Sequence, residues 1–299
     1  MNFFEVRRAW DFFLGEHKEY KVLHSHVRSY ASIYFSVAKK HGLKTIIHSH
    51  NMGNGRGCYI QKFGKSVLQY FLRYQADYFF ACSKEAGDWL FGNDVVKSSR
   101  YFTLFNAIDL KKYCFNRSVR DMYREKLRLG NVLTFIHIGR FDEVKNHKFL
   151  IEIFAKIKQK HKDAKLVLVG DGELREDIET KIMKLNMAKD VLLLGVRTDV
   201  PELLQESDCF LFPSKYEGLG IAALEAQVIG LPCICSSNVP KAVMVSDMCF
   251  FVELNDLKKW EDVIESVVNK RGRLLQNVDE YDIRKSAKWI EGFYQNILK

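Results

Sequence analysis

A chain of 299 residues is longer than one hydrophobic core usually serves, so two domains are expected. The hydrophobic fraction of 47% is that of a globular protein. No apolar run approaches the ~18 residues of a membrane span, and Met1 to Arg8 lacks a signal peptide's order of charge then apolar core, so a soluble, cytoplasmic chain is expected. The net charge of +9 is uneven: residues 1–130 hold 22 Lys/Arg against 11 Asp/Glu, the remainder 24 against 26. A basic first half suits an anionic surface. Without a helix-turn-helix or RNA-binding signature, the inner face of the cell membrane is a better partner for it than nucleic acid. Seven cysteines in mostly apolar settings, with no Cys-x-x-Cys pair, read as reduced buried thiols.

In chain order, apolar residues at near-helical spacing predict a helix over residues 3–14, then a strand over 20–26 and a helix through Lys40 stopped by Gly42. A second strand follows over 44–50. A glycine loop over 51–57 leads to a helix from about Ile60 to Gln75, a strand over 78–81, and a helix capped by Ser83 that reaches Leu90. Arg56, Lys62, Lys65 and Arg73, interleaved with Tyr59, Phe63, Tyr70, Phe71 and Tyr74, give the third helix the composition of an interfacial one. A composition shift at Phe105-Asn-Ala-Ile-Asp-Leu110, followed by basic Lys111, Lys112, Arg117 and Arg120, reads as a linker. Strands over 132–138, 165–169, 191–194 and 209–212 then alternate with helices over 147–160 and 174–186, which argues a doubly wound parallel sheet. Apolar Phe250-Phe-Val252 and amphipathic helices over 257–268 and 282–298 close the chain.

The stretch Lys215-Tyr-Glu-Gly-Leu-Gly-Ile-Ala-Ala-Leu-Glu-Ala-Gln227 follows the strand ending at Phe212. It sets Glu217 and Glu225 on either side of a glycine-broken turn into an apolar helix. Gly218 and Gly220 allow backbone N–H groups at that helix start to approach an anion, at the strand edge where open α/β sheets bind ligands. A carboxylate at Glu225, between Leu224 and Ala226, needs a partner if the helix is buried. Gly139-Arg-Phe-Asp-Glu-Val-Lys-Asn146 follows the first strand of the second half. Its Arg140 and Lys145 offer a planar fork and a point charge suited to a diphosphate. His24, His26, His48 and His50 end two successive strands as His-x-His pairs. Each pair could bind a metal, but no carboxylate or cysteine completes a shell, and no metal is expected.

The run of Arg140, Lys145, Gly170-Asp-Gly172, Gly195 and the Glu217-x7-Glu225 pair resembles the family 4 retaining glycosyltransferases, and Asn106-Ala-Ile-Asp109 resembles their interdomain segment. The resemblance runs from about Tyr20 to the C-terminus. It implies an α/β fold of two Rossmann-like domains facing each other across a cleft, here residues 1–110 and 111–280, with a C-terminal helix over 281–299 packing back on the first. Relative to that pattern the N-terminal domain is incomplete, short of a unit of about 60 to 70 residues.

The resemblance further implies that Arg140 and Lys145 bind the donor diphosphate and that Glu225 accepts from ribose hydroxyls. Glu217 would contact the transferred sugar, the N–H groups near Gly218, Leu219 and Gly220 the phosphate, and Gly195 and Val196 the base. It places His50 in the cleft, near the reacting sugar. The implied reaction is hexosyl transfer with retention from a nucleotide diphosphosugar to a saccharide or lipid-linked saccharide acceptor, as in capsule or exopolysaccharide synthesis, without an obligatory metal or other cofactor. The alternative is a catalytically silent nucleotide-sugar-binding homologue.

Overall fold

A computed structural model describes residues 2–50, 59–268, 270 and 278–299, with backbone alone for 59–63 and 65. The glycine loop over 51–57, and the side chains of Arg56, Tyr59, Lys62, Phe63 and Lys65 expected on an interfacial helix, lie outside these residues. The elements run α1 (Phe3–Glu16), β1 (Val22–Ser25), α2 (Ala31–Lys40), β2 (Lys44–Ser49), α3 (Tyr59–Gln75), β3 (Tyr78–Ala81), α4 (Lys84–Phe91), α5 (Asn93–Val96), β4 (Tyr101–Thr103), α6 (Arg117–Lys126), β5 (Thr134–Ile138), α7 (His147–Lys160), β6 (Lys165–Val169), α8 (Arg175–Lys184), β7 (Val191–Leu193), α9 (Val200–Glu206), β8 (Cys209–Phe212), α10 (Ile221–Val228), β9 (Cys233–Ser236), β10 (Cys249–Val252), α11 (Leu257–Val267) and α12 (Ile283–Ile297). They form two compact units, residues 1–106 with 284–299 and residues 107–283. Among the described residues no helix is long and apolar enough to cross a membrane.

The first unit is a four-stranded parallel sheet in the order β1-β2-β3-β4. Its helix starts follow ordinary capping chemistry. Asn2 and Glu5 form a reciprocal capping box on α1, and the Ser83 hydroxyl accepts the Ala86 N–H at 3.2 Å on α4. Trp10 and Leu14 of α1 pack with Val37, Ala38 and Leu43. On the sheet's other face Phe80 and Phe102 meet Trp289 and Phe293 of α12 at ring separations of 5.0 to 5.7 Å, which ties the C-terminal helix to this unit. The imidazoles of His24, His26, His48 and His50 gather at the carboxyl ends of β1 and β2, with neighbouring centroids 4.0 to 5.4 Å apart. Burial lowers the His24 pKa to about 3 and that of His48 to about 2, so both rings are neutral at pH 7.

The second unit is a six-stranded parallel sheet in the order β10-β9-β8-β5-β6-β7. From β5 the chain winds outward through β6 and β7, then returns to place β8 on the other side of β5. Such a reversal leaves a crevice at the carboxyl ends of the two central strands. These strands are apolar on both faces because helices cover both. Phe135, Phe154, Leu168, Leu211 and Trp260 are among the buried side chains of one continuous core.

The basic stretch after Asp109 is not a linker. It forms a 3-10 turn, Leu110–Tyr113, and helix α6, which packs on α9 within the second unit. Arg120 donates to the carbonyls of Gln205, Glu206 and Ser207 and pairs with Asp208 at 2.5 Å. Buried Arg124 donates to Gly130, Val132 and Glu206 carbonyls. These guanidiniums satisfy the carbonyl end of α9, and so part of the first half's positive charge is spent inside the fold. Five of the six described cysteines are buried free thiols, and Cys114 is exposed.

Backbone hydrogen bonds continue across the loops beyond β5, β6 and β7. Gly139 N–H donates to Val169, Gly170 N–H to Gly195 and Phe141 N–H to Asp171, at 2.8 to 3.0 Å. The two chains approach so closely that a Cβ on Gly170, at φ +134°, would stand 2.1 Å from the Gly139 carbonyl oxygen. Gly195, at φ +67°, faces open space. Gly170→Ala should therefore cost about 3 kcal/mol or more in urea denaturation, and Gly195→Ala about 1 kcal/mol. Equal losses at the two positions would contradict the close approach.

Candidate functional site

The loops that follow β5 and β8 stand side by side at the reversal of strand order. In the first loop Asp142 folds the backbone back on itself, its Oδ1 accepting the N–H groups of Val144 and Lys145 at 3.0 and 3.1 Å. Phe141 is fully buried against His147 and anchors the loop between its two cations. Arg140 is exposed, and no side-chain partner for it exists among the described residues. Lys145 turns inward. Its Nζ lies 2.6 Å from Glu217 Oε1 and 4.8 Å from the centre of the Phe212 ring. Both members of this pair are largely buried, with side chains 19% and 13% exposed, so removing either one would leave a poorly solvated charge without its partner.

The second loop is stitched to the first. Lys215 N–H donates to the Val144 carbonyl at 2.8 Å, and Lys215 Nζ pairs with Glu143 at 3.0 Å. Gly218, Leu219 and Gly220 are buried behind Glu217. Gly220 opens α10 in the left-handed region at φ +96°, where an added Cβ would press to 3.1 Å from Phe212. No side chain caps this helix start, and the Ala223 N–H already donates to the Gly220 carbonyl, so the N–H groups of Ile221 and Ala222 are the ones available to an anion.

Farther along α10, Glu225 is half-buried. Its carboxylate accepts the Tyr113 O–H at 2.5 Å. Burial raises the Glu225 pKa, while the hydroxyl works against that rise by stabilising the charged form. Tyr113 is itself pushed well above the usual phenol range, by burial first and then by this carboxylate. Sequence patterns mark Asp109, whose side chain accepts the Lys111 N–H and starts the 3-10 turn, but nothing in them marks Tyr113 three residues beyond the start. Gly195 and Val196 follow β7, two strands from β5. The Gly195 carbonyl is used by Gly170, and Val196 is 80% exposed.

The structure thus brings together Lys145, Glu217 and the glycine turn, with Arg140 on the same loop as Lys145 and Glu225 on the helix that the turn begins. His50 belongs to the first unit. Its Nδ1 is 2.9 Å from Asn106 Oδ1 and its Nε2 is 2.6 Å from His26 Nδ1.

The sequence pattern of the family described as Glycosyl transferases group 1 matches residues 119–285. Among curated proteins, the chain is 34% identical over 235 residues to "Putative glycosyltransferase EpsF" of Bacillus subtilis, covering 77% of this chain and 61% of that one. It is also 34% identical over 206 residues to an Escherichia coli UDP-Gal:alpha-D-GlcNAc-diphosphoundecaprenol alpha-1,3-galactosyltransferase, covering 64% and 53%. The chain therefore spans between half and two thirds of the length of these relatives. Among solved structures, HepE of Anabaena in complex with UDP superposes with a TM-score of 0.79 at 16% identity, covering 98% of this chain and 83% of that one. The fold is that of the two-Rossmann glycosyltransferases.

Glu225 generates a test of the site's internal chemistry. Tyr113→Phe leaves a partly buried carboxylate without its hydroxyl, which should cost about 1 to 3 kcal/mol in urea denaturation. The folded chain holds the Glu225 proton more tightly than the unfolded chain, so this group makes stability fall as pH rises above the usual carboxylate range. Tyr113→Phe should steepen that fall. A variant with unaltered stability and pH dependence would contradict the role given to this hydroxyl.

Proposed function

Because the chain belongs to the Glycosyl transferases group 1 family, we propose that it transfers a hexosyl group from a nucleotide diphosphosugar to an acceptor hydroxyl with retention at the anomeric carbon. The observation that carries this reading is Lys145 paired with Glu217 on the loop that leads to an uncapped helix start, at the sheet's switch point, with Arg140 exposed on the same loop as Lys145. Such a place favours an anion whose charge grows during the reaction. The bond from the anomeric carbon to the terminal phosphate oxygen breaks with its electron pair on the diphosphate. The acceptor oxygen forms the new bond on the same face and gives its proton to the departing diphosphate.

In this assignment Arg140 and Lys145 hold the diphosphate with the N–H groups near Gly218, Leu219 and Gly220, while Glu217 meets the transferred sugar. Glu225 accepts from the ribose, beside the oxygen already occupied by Tyr113. Gly195 and Val196 hold the base with backbone and an exposed side chain. His50, its ring held by Asn106 and His26, is assigned a catalytic role. The two cations and the helix start supply the positive charge that a metal would otherwise bring to the diphosphate, and transfer proceeds without an obligatory metal.

The E. coli relative's name specifies a UDP-sugar and a diphosphoundecaprenol-linked acceptor, which supports a lipid-linked saccharide acceptor here and a place in cell-surface polysaccharide synthesis. Work on a lipid carrier fits peripheral attachment at the cytoplasmic membrane face. The exposed rings of Tyr70, Phe71 and Tyr74 beside Arg73 on α3 support that attachment.

A screen of nucleotide sugars for nucleotide release tests the reading. Arg140→Ala and Lys145→Ala should each lower kcat/KM at least tenfold, about 1.4 kcal/mol of transition-state stabilisation. Unchanged turnover in both variants would contradict the assignment.

A further inference from the structure

The four histidines of the first unit carry chemistry that the transfer reaction leaves unused. Each His-x-His pair lacks a carboxylate or cysteine to complete a metal shell, but parallel pairing of β1 with β2 places the two pairs next to each other. One ligand nitrogen from each of His24, His26 and His48 lies within 4.8 Å of the other two. Hydrogen bonds identify which nitrogens are free. His24 Nδ1 is taken by the Tyr294 hydroxyl at 2.6 Å, which leaves Nε2, and that atom is buried without a partner. His26 Nδ1 is taken by His50, which leaves its Nε2. His48 is 4% exposed, and neither of its nitrogens has a partner. Three rings, each with an unused nitrogen, thus gather in one place, His48 buried and His24 partly so. An orphaned buried polar atom is costly, and a cation that accepts its lone pair removes the cost.

We propose that His24, His26 and His48 form a binding site for a divalent transition-metal ion of the zinc class. An all-imidazole donor set selects zinc, cobalt, nickel or copper over magnesium and calcium, which require oxygen. Zinc–nitrogen bonds are about 2.1 Å, so each nitrogen needs to move inward by about 0.7 Å at most, within reach of small ring rotations. His26 is exposed.

The ion would cross-link the ends of β1 and β2 and fix the tautomer of a chain of rings. With the metal on His26 Nε2, Nδ1 must carry the proton and donate to His50 Nε2, and His50 Nδ1–H in turn donates to Asn106 Oδ1. The metal is thus a positioning device for His50.

The test is direct titration of the purified chain, stripped with chelator, with Zn2+ and with Co2+. One equivalent should bind at micromolar concentration or tighter, with the intense visible absorption of tetrahedral cobalt. His26→Ala removes an exposed ligand without opening a core cavity, and it should weaken binding at least 100-fold while leaving the melting temperature of the metal-free chain within a few degrees. His161→Ala, which removes a histidine paired with Glu265 elsewhere, should bind as the wild type does. Absence of a stoichiometric site in the wild-type chain, or equal metal affinity in His26→Ala and wild type, would overturn the proposal.

Discussion

Lys145 and Glu217 hold the second unit's site together. They come from loops 72 residues apart in the chain, and they meet because β8 returns to pair with β5. An ion pair that is largely removed from water is stable only when its geometry is good and its surroundings are fixed. Here the Asp142 turn, buried Phe141, the Phe212 ring and the Lys215–Val144 backbone bond provide that fixation. The same interaction sets a condition on function: for Lys145 to meet a diphosphate, its ammonium must be shared with, or released from, Glu217.

Arrangement around this pair follows from parallel-sheet topology. The helix that begins at Gly220 follows directly on the loop that carries Glu217, and at that positive φ an added Cβ would press on Phe212 at 3.1 Å. Glu225 is carried along the same helix to Tyr113, so one short element links the uncapped helix start to a second carboxylate. On the far side, the backbones at 139, 170 and 195 run within hydrogen-bonding distance beyond the strand ends. At Gly170, what reads in the sequence as strand-ending punctuation is a requirement for close backbone approach.

Much of this was legible because long periodic segments report themselves. The helix expected over 147–160 is α7 at both ends, and continuous apolar runs such as Lys165–Val169 are buried strands. Shorter elements were lost. Helix α9 has only seven residues, and its Pro201 reads as a breaker although a proline in the first turn gives up no hydrogen bond. Strand β4 has three residues, too few for alternation to show. Arg120 misled in a different way, because composition cannot distinguish a solvated cation from one turned onto the carbonyls of a neighbouring helix. The partner role of Tyr113 and the joining of the two His-x-His pairs into one cluster were missed for a common reason: each depends on a tertiary juxtaposition that spacing along the chain does not encode.

The sharing of Lys145 between Glu217 and a diphosphate can be measured by calorimetric titration of a nucleoside diphosphate lacking a sugar into the wild-type chain and Glu217→Gln. Without a sugar, Glu217 has no ligand group of its own to contact, and its effect is on Lys145 alone. The expected result is binding in both, three- to tenfold tighter in Glu217→Gln because the ammonium no longer has to leave a carboxylate, a gain of about 1 kcal/mol. Affinity that is unchanged or weaker in Glu217→Gln would contradict a diphosphate site at the junction of β5 and β8.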